Sequence, residues 1–131
     1  MIGTTPSELL ANLVTRARTA GASAADAVFV DEISMSVSQR LGKREDLERA
    51  EGRDIGLRVF DGRRQATVST TDTSPASLDE LVDRVFAMAK AAPEDPYCGL
   101  ADRELLAKDI PDLELADDDE PDSDELYSLA A

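Results

Sequence analysis

Histidine and tryptophan are absent from this 131-residue sequence, and cysteine occurs once, as Cys98. Without histidine, the chain cannot build a Ser-His-Asp or Cys-His nucleophile system or a His-containing zinc site. A single thiol cannot form an intrachain disulfide or a Cys-x-x-Cys redox motif. No histidine or lysine lies nearby in sequence to activate Cys98, which favours an incidental or structural thiol. The sequence therefore predicts a chain with no catalytic residue, no metal site and no cofactor of its own.

Long apolar runs and aromatic residues are also scarce. No apolar segment approaches the ~18 residues of a membrane span, and the N-terminus lacks the basic and apolar regions of a signal peptide. With only two Tyr and three Phe, the core of a single domain of this length must be aliphatic. Together with the lone thiol, these absences predict a cytoplasmic protein without membrane contact.

Basic residues are almost missing from the last third of the chain. Residues 1–93 hold 14 acidic and 12 basic side chains, whereas residues 94–131 hold 14 acidic and 2 basic ones. Such a tail repels duplex DNA, so we expect no direct nucleic-acid binding. The acidic run 117–125 could in principle hold Ca²⁺, but Pro121 and Asp122 stand where an EF-hand loop needs a ligand and a glycine. A solvated linker is the favoured interpretation.

Hydrophobic periodicity predicts a helix, four strands and a second helix. Thr5 and Glu8 form a capping box before the first helix, and Ser74 precedes a proline at the start of the second. Consecutive strands joined by tight turns must be antiparallel. We therefore predict a two-layer α+β domain over residues 1–96, with both helices on one face of the sheet. The predicted elements are a helix at 6–20, strands at about 27–40, 43–51, 53–60 and 64–71, and a helix at 75–92.

Three further features of the chain are expected. The apolar positions change from even to odd near Asp31-Glu32, which predicts a β-bulge there. Asp61-Gly62 predicts a type I′ hairpin turn. Residues 97–131 are predicted to form an extended acidic linker and, from Ser123, the start of a further helix cut off by the chain end. We therefore expect the sequence to be a fragment of a longer protein.

Candidate contact residues are few. Ser34, Ser36 and Ser38 alternate along the first strand and would lie on the open sheet face, where a peptide or partner could bind by strand addition or face contact. Solvent exposure without a ligand remains the competing interpretation. For the Asp31-Glu32 pair, exposed bulge residues are favoured over an acid–base pair. The basic residues are expected to form cross-strand ion pairs rather than a binding patch. They are Lys43, Arg44, Arg58, Arg63 and Arg64.

The stretch from Gly21 to Ala107 resembles the N-terminal domain of the TldD/PmbA family of metallopeptidase-related proteins, some of which are called modulators of DNA gyrase. The final part of that stretch is similar to the PmbA, or TldE, branch. The residues that carry the resemblance, taken as an ordered set, are Gly42-Lys43, the acidic Glu45–Glu51 strand, Gly56–Arg63, Ser69–Asp72, Leu81-Val82, Ala89–Tyr97 and Gly99–Asp102.

The resemblance implies an accessory role. Members of the family are longer, and the TldD branch carries a His-Glu-x-x-x-His zinc site in a later domain, so zinc is implied only for a catalytic subunit. The resemblance to the PmbA branch implies a partner subunit that lacks those zinc ligands. We therefore expect a non-catalytic scaffolding domain that contacts a TldD-like subunit or a second copy of itself and helps to enclose a peptide substrate. The alternative is a free-standing acidic interaction module that modulates gyrase or a DNA-binding protein.

Overall fold

The structure, a computed structural model, describes residues 5–117 and 119–131. Three helices and one antiparallel sheet of three strands give an α+β fold, with the strands in the order β1-β2-β3. The elements are α1 (Pro6–Thr19), β1 (Ala24–Arg40), β2 (Lys43–Asp61), β3 (Arg64–Thr70), α2 (Pro75–Ala91), a 3₁₀ turn (Arg103–Leu105) and α3 (Ser123–Leu129).

Both predicted long helices are confirmed, and each begins where its cap requires. At α1, the Thr5 hydroxyl accepts from the Glu8 backbone N–H, and the Glu8 carboxylate accepts from the Thr5 N–H at 2.8 Å. This capping box satisfies two of the backbone donors that a helix start leaves without partners. At α2, the Ser74 hydroxyl accepts from the Ser77 N–H.

The prediction of four strands is wrong, because residues 43–51 and 53–60 form one strand. β2 runs for 19 residues and pairs with β1 on both sides of Gly52, which lies opposite Glu32. The change from a polar stretch to an apolar one suggests two strands, but the glycine between them only weakens a strand and does not end it. β1 also begins at Ala24, three residues before its predicted start.

The predicted bulge at Asp31-Glu32 is also wrong. The β1–β2 register is continuous through that point, and the register shift falls between Ser38 and Gln39, opposite Glu45. Because side chains alternate across a strand, the odd residues of β1 face the helices and the even ones face away. Phe29 therefore packs against the core while Val28 is 56% exposed. Without the bulge, Val28 and Val30 do not share a face with Ile33, Met35 and Val37.

Each hairpin turn has two central residues, and the type of the β2–β3 turn differs from the prediction. In the β2–β3 turn the central residues are Gly62 and Arg63, and only Gly62 has positive φ, at 61°. That is the φ pattern of a type II′ turn rather than the predicted type I′. In the β1–β2 turn both central residues, Leu41 and Gly42, have positive φ.

The core lies between the two long helices and one half of the sheet. Ile55, Leu57 and Val59 of β2 are at most 1% exposed. Phe60 of β2 is also buried, at 2% exposure. The helices contribute further large side chains to the core, which are Leu13 of α1 and Leu78, Leu81, Val82 and Val85 of α2. The prediction that both helices cover one sheet face is thus confirmed for this half of the sheet.

The other half of the β1–β2 hairpin extends beyond the core. β3 pairs only with Ile55–Asp61 of β2, so residues 31–53, which we call the arm, form a two-stranded ribbon. At the far end of the arm, α3 packs against β1, which confirms the predicted helix from Ser123. Residues 92–122 contain no helix or strand in their described part except the 3₁₀ turn. Their role as a linker stays a prediction.

Candidate interaction surfaces

The arm is the most exposed regular structure of the described chain. Ile33 and Leu47 are 65% and 51% exposed, and Leu41 at the tip is 96% exposed. An isolated two-stranded ribbon is marginally stable in water, so the arm needs other contacts. Cross-strand ion pairs supply some of them. One joins Arg53 Nε to Asp31 Oδ2 at 3.0 Å between directly opposed residues.

Tyr127 of α3 holds the tip of the arm. Its hydroxyl donates to the Asp46 carbonyl oxygen at 2.6 Å, and its own carbonyl accepts from the Gln39 side-chain amide. The Arg44 guanidinium lies 4.4 Å from the centre of the Tyr127 ring and pairs with Asp124 at 2.6 Å. These contacts bury Tyr127 to 7% exposure and connect parts of the chain about 80 residues apart in sequence.

The predicted serine row lies on one face of the arm. Ser34, Ser36 and Ser38 are all exposed, and they lie opposite Ala50, Glu48 and Asp46 of β2. Strand alternation puts the serines on the same side as Val28 and Val30, away from α1 and α2. We call this side of the sheet the open face. The valines are 56% and 45% exposed.

A shallow depression of about 320 Å³ marks the open face near the valines. Gly56 forms its floor, because a Cβ there would meet Val28 Cγ1 at 3.0 Å. At its edge, the Arg58 guanidinium donates to both Asp26 carboxylate oxygens, at 2.8 and 2.5 Å. Hydrogen bonding to Asp26 raises the pKa of Arg58 above its ordinary value. The depression is lined by Asp26, Ala27, Val28, Gly56, Arg58 and Thr67.

The other groups considered in the sequence do not form a site. Asp31 and Glu32 are neighbours on β1, so their side chains point to opposite faces. The basic residues do not gather into one patch. The expected cross-strand ion pair is confirmed for Arg58, which pairs with the directly opposed Asp26 of β1. Arg64 pairs with Glu94 at 3.3 Å near the β2–β3 turn, whereas Arg44 pairs with Asp124 at the opposite end of the hairpin.

The acidic run has structural roles where it is described. Asp122 accepts from the Asp124 and Glu125 N–H groups, both at 2.9 Å, and caps α3, while Asp118 lies outside the described residues.

Cys98 is a half-buried free thiol. Within residues 5–117 and 119–131, no three acidic or thiol side chains come together as metal ligands. No helix in that part of the chain is long and apolar enough to cross a bilayer.

Sequence reasoning missed the tip contacts and the full length of the hairpin. The contact of Tyr127 with Asp46 joins distant residues that no periodic pattern connects. One available signal was the small number of aromatic residues, since a tyrosine usually buries its ring and finds a hydrogen-bond partner for its hydroxyl.

Comparisons with known proteins show relatives that are longer than this chain. It is 38% identical over 97 residues to metalloprotease PmbA of Escherichia coli O157:H7, covering 74% of this chain and 22% of that protein. It is 38% identical over 112 residues to a metalloprotease PmbA homolog of Haemophilus influenzae, covering 85% of this chain and 24% of that protein. The chain thus spans less than a quarter of the length of these curated relatives.

The fold is also shared with a solved structure. A putative modulator of DNA gyrase from Bacteroides thetaiotaomicron superposes with a TM-score of 0.79 at 22% identity, over 90% of this chain and 27% of that one. Residues 25–89 match the model of the PmbA/TldA metallopeptidase domain 1. These residues span most of β1 and continue to near the end of α2, so they contain the sheet and most of the core. Through this first domain, the chain belongs to the PmbA/TldD family.

Proposed function

We propose that this chain is the accessory, non-catalytic domain of a PmbA/TldD-type metallopeptidase, and that it works by docking rather than by bond-making chemistry. Its partner in the proposal is a TldD-like subunit that carries the zinc ion in the cytoplasm. Family membership supports the peptidase context, since the matched relatives are named metalloproteases. The donor set of this chain does not fit a zinc site, because the sequence contains no histidine and one cysteine.

The observation that carries the proposal is the apolar strip on the open face. Val28 and Val30 are exposed although they lie in the middle of a regular strand, and the chain's own helices cover the opposite face. Beside them, Gly56 lets the Val28 side chain pack close to the sheet surface, and the serine row extends the same face along the arm. A partner on this face would bury apolar area beside hydrogen-bonding hydroxyls, as protein interfaces commonly do. The peptide substrate would then be enclosed between the two subunits.

The alternative role as a free-standing acidic modulator has less support. A protein that imitates DNA needs its charges on a rigid face, whereas residues 109–122 contain no helix or strand in their described part. Two of the nearby carboxylates are already used inside the chain. Asp122 caps α3, and Asp124 pairs with Arg44.

Binding to a purified TldD-like subunit tests the proposal. Val30→Asp places a charge on the open face, and Met88→Asp places the same charge on α2, where the exposed fraction is nearly identical, at 46% against 45%. We expect Val30→Asp to weaken binding at least tenfold in isothermal titration and Met88→Asp to leave it unchanged. Equal effects of the two variants, or zinc-dependent peptide hydrolysis by this chain alone, would contradict the proposal.

A further inference from the structure

α3 packs on the face of the arm that lies opposite the serine row. Among the β1 residues of the arm, Val37 and Gln39 are half-buried, whereas the serines beside them are exposed. Because alternate side chains of a strand point to opposite faces, the two half-buried residues lie on the side of the sheet that carries α1 and α2. The Gln39 amide donates to the Tyr127 carbonyl oxygen on that side. α3 therefore supports the tip of the arm and leaves the open face free.

The two ends of the open face differ in what lies behind them. Val28 and Val30 flank Phe29, which packs against the core under the long helices. The serine row lies on the arm, where Ile33 and Met35 point toward the helix side but are 65% and 41% exposed. α1 and α2 thus do not cover the arm, and the helix that packs there is α3. The serine end of the open face consequently depends on α3 for its backing.

The arm and α3 are each marginally stable without the other. A two-stranded ribbon is barely stable in water, and so is an isolated helix shorter than ~12–15 residues. α3 has 7 residues. Tyr127 joins the two elements, since its side chain is buried and its hydroxyl donates to the Asp46 carbonyl oxygen at 2.6 Å. Docking of α3 and ordering of the arm therefore form one local folding step.

The segment that leads to α3 has to cross the length of the arm. The Asp95 N–H donates to the Arg63 carbonyl oxygen at 2.7 Å, which fixes the chain beside the β2–β3 turn. α3 binds at the opposite end of the hairpin, and β2 from Asp46 to Asp61 is about 50 Å long at ~3.3 Å per residue. A relaxed flexible chain as long as residues 96–122 spans only about 30 Å. This segment holds 10 acidic and 2 basic side chains, and such one-sided charge favours the extended form that reaches the tip.

We infer that Tyr127 is a positioning residue of the docking surface. α3 acts as a strap that keeps the arm ordered, so the affinity of the open face for a TldD-like subunit depends on a contact behind the sheet. The inference rests on the proposed function and adds how its surface is held in shape. A partner that met a disordered arm would have to order it on binding, and that cost would reduce the affinity.

Amide exchange of the whole chain by itself tests whether α3 orders the arm. Tyr127→Ala removes the ring and the hydroxyl, and Tyr97→Ala is the matched control, because Tyr97 is 95% exposed. We expect Tyr127→Ala to speed exchange of residues 34–48 by about tenfold or more, with α1, α2 and β3 unchanged. Tyr127→Phe keeps the ring beside Arg44 and should have a smaller effect, and Tyr97→Ala should have none. Unchanged exchange in the arm, or equal acceleration in the core, would overturn the inference.

Titration with a TldD-like subunit tests whether the strap acts on the open face. We expect Tyr127→Ala to bind about fivefold more weakly than the unmodified chain, because binding must then order the arm. Tyr127→Phe should recover most of the affinity, and Tyr97→Ala should retain all of it. Equal affinities of Tyr127→Ala and the unmodified chain would overturn the inference and leave the proposed function in place. Absence of binding by the unmodified chain would contradict both.

Discussion

Two leucines of the same strand provide a matched test of where the core ends. Leu57 is 0% exposed beneath the helices, whereas Leu47 is 51% exposed on the arm. A buried Leu→Ala change costs about 2.5–5 kcal/mol of unfolding free energy, because transfer and cavity terms add. The same change at Leu47 removes a side chain that is already half in water, so we expect a cost of about 1 kcal/mol or less.

Urea unfolding followed by far-UV circular dichroism measures both values. With a typical dependence of about 2 kcal/mol per M of urea, a loss of about 3 kcal/mol in Leu57→Ala lowers the midpoint by roughly 1.5 M. Leu47→Ala should lower it by less than about 0.5 M. Both variants should still fold, because small domains usually have ~5–15 kcal/mol of stability. Midpoints that fall equally would refute the division into core and arm.

Three further substitutions test individual features. Leu41 holds a φ of 51° with 96% exposure, so Leu41→Asn should relieve about 1 kcal/mol of backbone strain and slow amide exchange in the arm. Gly56→Ala should lower the melting temperature, since its Cβ would meet Val28 Cγ1 at 3.0 Å, and adding Val28→Ala should restore most of the loss. Hydrogen bonding with Thr5 lowers the pKa of Glu8 below its usual 4.5. The carboxylate therefore stabilises the folded chain above pH 4.5, this contribution is lost as the pH falls through the lowered pKa, and Glu8→Gln should flatten that part of a stability–pH profile.

The local elements of the fold could be predicted because their signals are local. Thr5 and Glu8 lie one helical turn apart, so the capping box that starts α1 is visible in the sequence. Likewise, the apolar residues of α2 recur at the helical period, which predicts one buried helix face. The antiparallel order of the sheet follows from the short turns alone.

The sequence could not predict which face of β1 is buried, because this depends on which residues the helices cover. Val28 and Phe29 are both apolar, and only the packing of α1 and α2 selects Phe29 for the inside. The length of β2 was missed for a different reason. Its polar half, predicted as a separate strand at 43–51, pairs with β1 without covering a core. Hydrophobic periodicity therefore does not connect it to the apolar strand predicted at 53–60. The contact of α3 with the tip depends on residues far apart in the chain.

The candidate surface could be predicted from the sequence only in part, as the serine row shows. Alternation alone put Ser34, Ser36 and Ser38 on one face, and the structure places all three there, exposed. The sequence did not reveal that Val28 and Val30 share this face. Their inclusion changes the surface from a polar row into a mixed strip with an apolar end.

Hydrogen–deuterium exchange of the whole chain, alone and with a TldD-like subunit at fixed chain concentration, tests the docking account most directly. Docking on the open face should slow amide exchange on addition of the subunit for residues 28–38 of β1 and the opposed part of β2, with α1 and α2 unchanged. Protection confined to the outer surfaces of α1 and α2, or no change anywhere at saturating subunit, would contradict it.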